Sequence, residues 1–173
     1  MAEFADETLE ELPCPAAKQM PKLLWYMRRP DAIEEFKRLE HNPSYLTGVH
    51  FDMDRIDFTS DINEVVDKAK TLIFVTPSPY LTDHLKKLRR RLSDKYIVTA
   101  IKGIVPDDDL VVSEYFRQVY NVPDESLAVL AGPSHAEEVA LGRLTCLTLG
   151  SVSQPLADRL AEFMASTYVR TTT

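Results

Sequence analysis

Apolar and polar positions along the chain fall into two alternating patterns. Short apolar runs, of the length and β-branched character of buried strands, read Leu23-Leu24-Trp25-Tyr26, Thr71–Val75, Ile97–Ile101, Leu127–Ala131, Thr145–Leu149 and Tyr168–Thr171, with a shorter extended piece at Ile56–Phe58. Between them lie segments with apolar residues at helical spacing: Ala32–His41, Ile62–Lys70, Tyr80 to about Arg91, the stretch from Asp109 to Tyr120, Ser134–Leu141 and Gln154–Ala165. Asp31, with Glu34 three residues on, has the spacing of a capping box, and Asp61 is a second capping candidate. Strand and helix alternate from Lys22 to the end, which predicts a wound α/β sheet.

The segment 1–21 breaks this pattern. Glu7–Leu12 could form a short helix, but Pro13, Pro15 and Pro21 stop any longer element, so an irregular segment is expected ahead of the domain at 22–173.

Two strand ends concentrate the candidate chemistry. In open α/β sheets ligands bind outside the carboxyl ends of the strands. Tyr96–Ile101 runs straight into Lys102-Gly103, a cation beside a residue that permits a sharp turn. Leu127–Ala131 runs into Gly132-Pro133-Ser134-His135-Ala136-Glu137-Glu138, a tight turn that leads into a helix. Parallel strands present their carboxyl ends on one side, so Lys102 and Ser134 are expected to converge on one cleft.

Composition narrows the classes. At 173 residues, 45% apolar and 27% charged, the chain suits one soluble globular domain. Its net charge of −7 argues against broad binding to nucleic acid or to an anionic membrane surface. No apolar stretch reaches bilayer-spanning length, and the acidic N-terminus is unlike a secretory signal, so no membrane insertion and a cytoplasmic location are expected. Cys14 and Cys146 read as two reduced thiols. The histidines 41, 50, 84 and 135 lack ligand spacing, and no metal site is expected. Taken alone, Arg28-Arg29 is a solvated turn, and the basic residues of 86–91 complement a helix C-terminus.

The ordered set of these pieces resembles the bacterial NAD(P)-dependent glycerol-3-phosphate dehydrogenase family. The pieces are Leu24-Trp25 with arginines after it, Asn42 with Tyr45-Leu46, Ile73–Ser78, Lys102-Gly103-Ile104 and Ala131–Ala140. The resemblance implies a Rossmann-like wound sheet that reduces dihydroxyacetone phosphate to glycerol 3-phosphate by hydride transfer, for phospholipid synthesis. It assigns Lys102 to catalysis and to contact with both substrate and cofactor. Gly132 and Ser134 would line the substrate site, and Ala136 would lie against the cofactor. Arg28 and Arg29 match the adenosine ribose site and favour NADPH over NADH. A homodimer is one possible assembly; the resemblance does not fix it.

The sequence departs from that family at two places. The family opens with a first strand and a Gly-rich turn for the pyrophosphate, whereas this chain has no glycine before Gly48. The family also continues into a helical domain with the acid/base lysine and much of the phosphate site, beyond the range of these 173 residues. The expectation is therefore an incomplete NAD(P)-binding domain, inactive by itself as a truncated chain. The alternative is a catalytically inactive remnant that serves as a binding or interaction module.

Overall fold

Nine short strands and six helices follow one another through residues 22–173, which are the residues the computed structural model describes. In order they are β1 (Leu23–Tyr26), α1 (Pro30–Leu39), β2 (Ile56–Thr59), α2 (Ile62–Lys68), β3 (Thr71–Phe74), α3 (Ser78–Leu85), β4 (Tyr96–Thr99), β5 (Ile104–Val105), β6 (Leu110–Val111), α4 (Val112–Tyr120), β7 (Leu127–Ala131), α5 (Ala136–Ala140), β8 (Thr145–Gly150), α6 (Gln154–Met164) and β9 (Val169–Thr172). The expected wound α/β fold is present, dominated by parallel pairing. The short helix expected at Glu7–Leu12, and Cys14, lie outside the described residues.

The main sheet has the order β3-β4-β7-β8-β9. The pairs β3–β4 and β4–β7 are parallel, β7–β8 is antiparallel, and β9 runs parallel to β8. Strands β1 and β2 pair in parallel as a separate sheet. Among the described residues no strand joins the two-stranded sheet to the five-stranded one.

Alternation along the strands sends side chains into two cores. On one face Leu72, Ile97 and Leu127 meet Ile62 and Val66 of α2, Leu81 and Leu85 of α3, and Tyr115 and Phe116 of α4. On the other, Val98, Ala128 and Leu149 meet Leu156, Ala157, Leu160 and Ala161 of α6. The small sheet has an aromatic core. Fully buried Phe36 of α1 lies 5.5 Å from Trp25, 5.3 Å from Phe51 and 5.1 Å from Phe58 (ring centroids).

Several element boundaries differ from the sequence reading. Helix α1 starts at Pro30, where proline is tolerated because the first N–H groups of a helix have no partner. Arg29 takes the capping position, and Asp31 pairs with Arg29 instead of capping. Asp61 does cap α2, accepting from the Asn63 N–H at 2.9 Å. Helix α3 begins at Ser78, before the expected Tyr80, and ends at Leu85, well short of Arg91. There the Asn63 side chain replaces the next helical bonds: its amide nitrogen donates to the Lys87 carbonyl (3.2 Å) and its oxygen accepts from the Arg89 N–H (2.6 Å). The stretch around Asp107–Asp109 holds the antiparallel β5–β6 pair, and α4 starts only at Val112. The last helix before β8 starts at Ala136, not at Ser134.

Candidate functional site

Three turns meet at one end of the main sheet, each following the carboxyl end of a parallel strand. After β3 the chain passes Val75-Thr76-Pro77 into α3. After β4, the Ile101 N–H donates to the Thr99 hydroxyl (3.2 Å), and Lys102 and Gly103 follow, both exposed. Gly103 has φ +94°, a conformation that side-chain-bearing residues rarely adopt, and a Cβ there would lie 3.5 Å from the Ser78 Oγ. The turns after β3 and β4 therefore lie against each other, and Lys102 is exposed beside Gly103 at that junction.

The third turn follows β7, the parallel neighbour of β4. Gly132 has φ +142°, and a Cβ on it would fall 2.4 Å from the Cys146 carbonyl oxygen. No side chain fits there, because β8 passes too closely. The Ser134 N–H donates back to the Gly132 carbonyl (3.0 Å), so Ser134 sits in a turn ahead of α5, exposed together with Ala136. Lys102 and the 132–136 turn thus lie at the same ends of adjacent strands.

A long-range contact reaches the same end. The Tyr45 hydroxyl donates to Glu137 Oε1 at 2.6 Å, across 92 positions of sequence. Asn42 shapes the loop that carries it, its side-chain oxygen accepting from the N–H groups of Ser44 (2.9 Å) and Tyr45 (3.1 Å). The hydrogen bond from Tyr45 holds the Glu137 carboxyl below the ordinary range and raises the Tyr45 phenol in return. Local periodicity has no signal for this pairing, nor for Ser78 beneath Gly103; only the turn residues Asn42-Pro43-Ser44 mark the loop.

Arg28 and Arg29 lie past the end of β1, and their roles differ. Arg29 is engaged with Asp31, whereas Arg28 is exposed and has no ion-pair partner among the described residues. The Tyr26 hydroxyl and the His84 Nδ1 are buried nearby without hydrogen-bond partners, their rings 5.8 Å apart. Burial, with help from Arg28 and Lys87, pushes the His84 imidazole below its ordinary value. For a dinucleotide, then, the described residues offer a free cation at Arg28 and another at Lys102. A glycine turn after a first strand, the usual seat of a pyrophosphate, has no counterpart in a sequence whose first glycine is Gly48. The residues present offer cations for the two ends of such a ligand and no glycine turn for its middle. Among the described residues no helix is long and apolar enough to cross a membrane.

Comparison with known proteins agrees with this arrangement. Residues 4–157 match the family model described as NAD-dependent glycerol-3-phosphate dehydrogenase N-terminus. Among curated relatives, the glycerol-3-phosphate dehydrogenase [NAD(P)+] of Ectopseudomonas mendocina is 32% identical over 84% of this chain and 42% of its own length. That of Nitratidesulfovibrio vulgaris is 34% identical over 86% of this chain and 44% of its own. The chain thus spans less than half the length of these relatives. Among solved structures, the Plasmodium falciparum glycerol-3-phosphate dehydrogenase superposes with a TM-score of 0.76 at 22% identity, covering 87% of this chain and 43% of that one. The Coxiella burnetii enzyme gives 0.72 at 22% identity, over 87% and 45%. Its family implies an oxidoreductase with a nicotinamide cofactor, and the chain belongs to the NAD-dependent glycerol-3-phosphate dehydrogenases through their N-terminal domain.

Proposed function

We propose that residues 22–173 are part of the cofactor domain of an oxidoreductase that reduces dihydroxyacetone phosphate to glycerol 3-phosphate, with NADPH as the preferred donor. The observation that carries this is the placement of Lys102 at the carboxyl end of β4, beside the turn that ends its parallel neighbour β7. There an ammonium group faces the side of the sheet where α/β folds bind ligands. Lys102 supplies charge to the substrate oxygens and to the cofactor. Gly132 and Ser134 border the substrate, and Ala136 borders the cofactor. A bound nicotinamide would supply the hydride. Arg28, which has no ion-pair partner among the described residues, attracts the 2′-phosphate that distinguishes NADPH; Arg29 serves mainly to hold Asp31.

The same reading predicts that residues 1–173 do not turn over by themselves. Hydride transfer requires the nicotinamide within near-attack distance of the substrate carbon, and the pyrophosphate between the two anchored ends has no glycine cradle. The test mixes the purified chain with NADPH and dihydroxyacetone phosphate and follows nicotinamide absorbance and fluorescence. The expected result is no turnover, with weak NADPH binding that salt screens away. Steady NADPH oxidation that vanishes in Lys102→Ala would overturn the inactivity. At the matching lysine of a full-length relative, substitution by alanine is expected to lower kcat/KM by roughly 100-fold or more, the scale of a lost oxyanion-type contact. Unchanged turnover there would favour the reading of the chain as a binding module.

A further inference from the structure

Helix α5 is the one described helix with no buried residue; α1, α2, α3, α4 and α6 each bury two or more. The turn that leads into it, Pro133 to Ala136, is exposed throughout. A helix of five residues does not hold itself in water, and no side chain caps this one. The segment is fixed at its two ends. At the start β8 crowds Gly132; at the finish a Cβ on Gly142 would lie 3.3 Å from the Tyr168 ring, and Glu138 pairs with Arg143 at 3.4 Å. Between those ends, the Tyr45–Glu137 bond is the one hydrogen bond, among the described residues, that ties 133–140 to a distant part of the chain.

The loop that carries Tyr45 is held from below. The Phe51 N–H closes its base by donating to the Glu40 carbonyl at 2.8 Å, and the Phe51 ring packs against Phe36 and Trp25. The His41 and His50 rings meet edge-on across the same base, 5.9 Å apart. Leu46, next to Tyr45, has φ +55°, a left-handed conformation that is costly for a bulky residue and persists where its surroundings enforce it. The Val49 N–H donates to the Leu46 carbonyl at 2.9 Å and closes that turn. The phenol therefore reaches from a fixed mount to a helix that has none. An exposed hydrogen bond is too weak to carry a fold, but it can decide where a short helix without a core rests.

We propose that Tyr45 is a positioning residue: through Glu137 it holds the 132–136 turn in place beside Lys102. The task given to that turn rests on the proposed function, whereas the tether stands on the contacts above. Tyr45 lies in the connection between α1 and β2, so the bond joins the small sheet, whose β1 leads into Arg28, to the large sheet, whose β4 leads into Lys102. The two cations offered to a dinucleotide are thereby linked through one phenol. Glu137 has no ion-pair partner among the described residues, so Tyr45 supplies its one side-chain hydrogen bond. Neither residue needs to touch the reacting atoms; the effect of Tyr45 on ligand binding passes through the placement of Ser134 and Ala136.

The experiment compares the chain 1–173 with Tyr45→Phe, Glu137→Ala, Glu137→Gln and the Tyr45→Phe/Glu137→Ala double variant by residue-resolved amide hydrogen exchange. The N–H groups of Ser134, Glu138 and Val139 are all bonded within the turn and α5. In Tyr45→Phe they are expected to exchange roughly fivefold faster, with β3, β4 and the denaturation midpoint unchanged. Glu137→Gln keeps an oxygen that accepts from the phenol and is expected to retain the parent rates. Glu137→Ala is expected to match Tyr45→Phe, and the double variant to be no faster than either. Tyr45→Phe leaves every charge in place, so a loss of NADPH affinity, expected to be roughly threefold by fluorescence titration, reports position rather than charge. Unchanged exchange at 134–139, additive effects in the double variant, no rescue by Glu137→Gln, or equal NADPH affinity in parent and Tyr45→Phe would each overturn the proposal. If neither form binds NADPH, the proposed function fails by itself, because the exchange rates decide the tether without any ligand.

Discussion

The two sheets solve the same problem with different materials. The five-stranded sheet buries mainly aliphatic side chains, joined by Tyr115 and Phe116 of α4, between α2–α4 on one face and α6 on the other. The two-stranded sheet has too few strands for that, and two strands in water are marginal. It is held instead by α1 and by the rings of Trp25, Phe36, Phe51 and Phe58, in edge-on, tilted and stacked contacts. A few large aromatic groups supply the burial that additional strands supply elsewhere. The small sheet should therefore depend on single residues, whereas the large one should spread its stability over many.

Phe36→Ala tests this most severely. It removes the ring at the centre of the aromatic cluster and is expected to cost about 3–5 kcal/mol. Hydrogen exchange should show β1 and β2 opening before β4 and β7. Uniform loss across both sheets would mean that the two are one cooperative unit.

Gly132→Ala attacks the large sheet where it has least slack, against the Cys146 carbonyl. The positive φ and the steric overlap together predict a loss of about 2–3 kcal/mol in chemical denaturation. Asn63→Ala then cuts the link that ties α2 to the end of α3, with an expected cost of about 1–2 kcal/mol and faster exchange at Arg89.

The smallest effect is electrostatic. Burial, Arg28 and Lys87 hold His84 below its ordinary value of 6.5, against an opposing pull from Asp83. The unfolded chain therefore takes up the proton more readily than the folded one. The contribution is full above the ordinary histidine value and is lost as pH falls through it. Denaturation midpoints measured on either side of that value should differ less in His84→Gln than in the parent chain.

The sequence made the sheet legible because buried strands announce themselves locally. Leu23–Tyr26 and Leu127–Ala131 occur with the boundaries read from the apolar pattern. What stayed hidden depends on distant partners. The apolar spacing of Leu88 and Leu92 extended α3 on paper, because nothing near Lys87 reveals that Asn63 captures its carbonyl. The reversal between β7 and β8 was equally hidden, since a buried strand reads the same in either direction. At the site, Lys102 and Gly103 stood out as a cation and a turn. The need for glycine at 132, by contrast, comes from β8 passing beside it, more than ten positions away.

Asn63 has one more consequence. Its amide acts as donor to one backbone group and acceptor to another, two positions apart. Of the side chains, only a carboxamide presents both functions side by side. Replacement of Asn63 by aspartate would keep the oxygen that receives the Arg89 N–H but set a second oxygen against the Lys87 carbonyl. Loss of that one amide nitrogen would turn a staple into a wedge where α2 meets the end of α3.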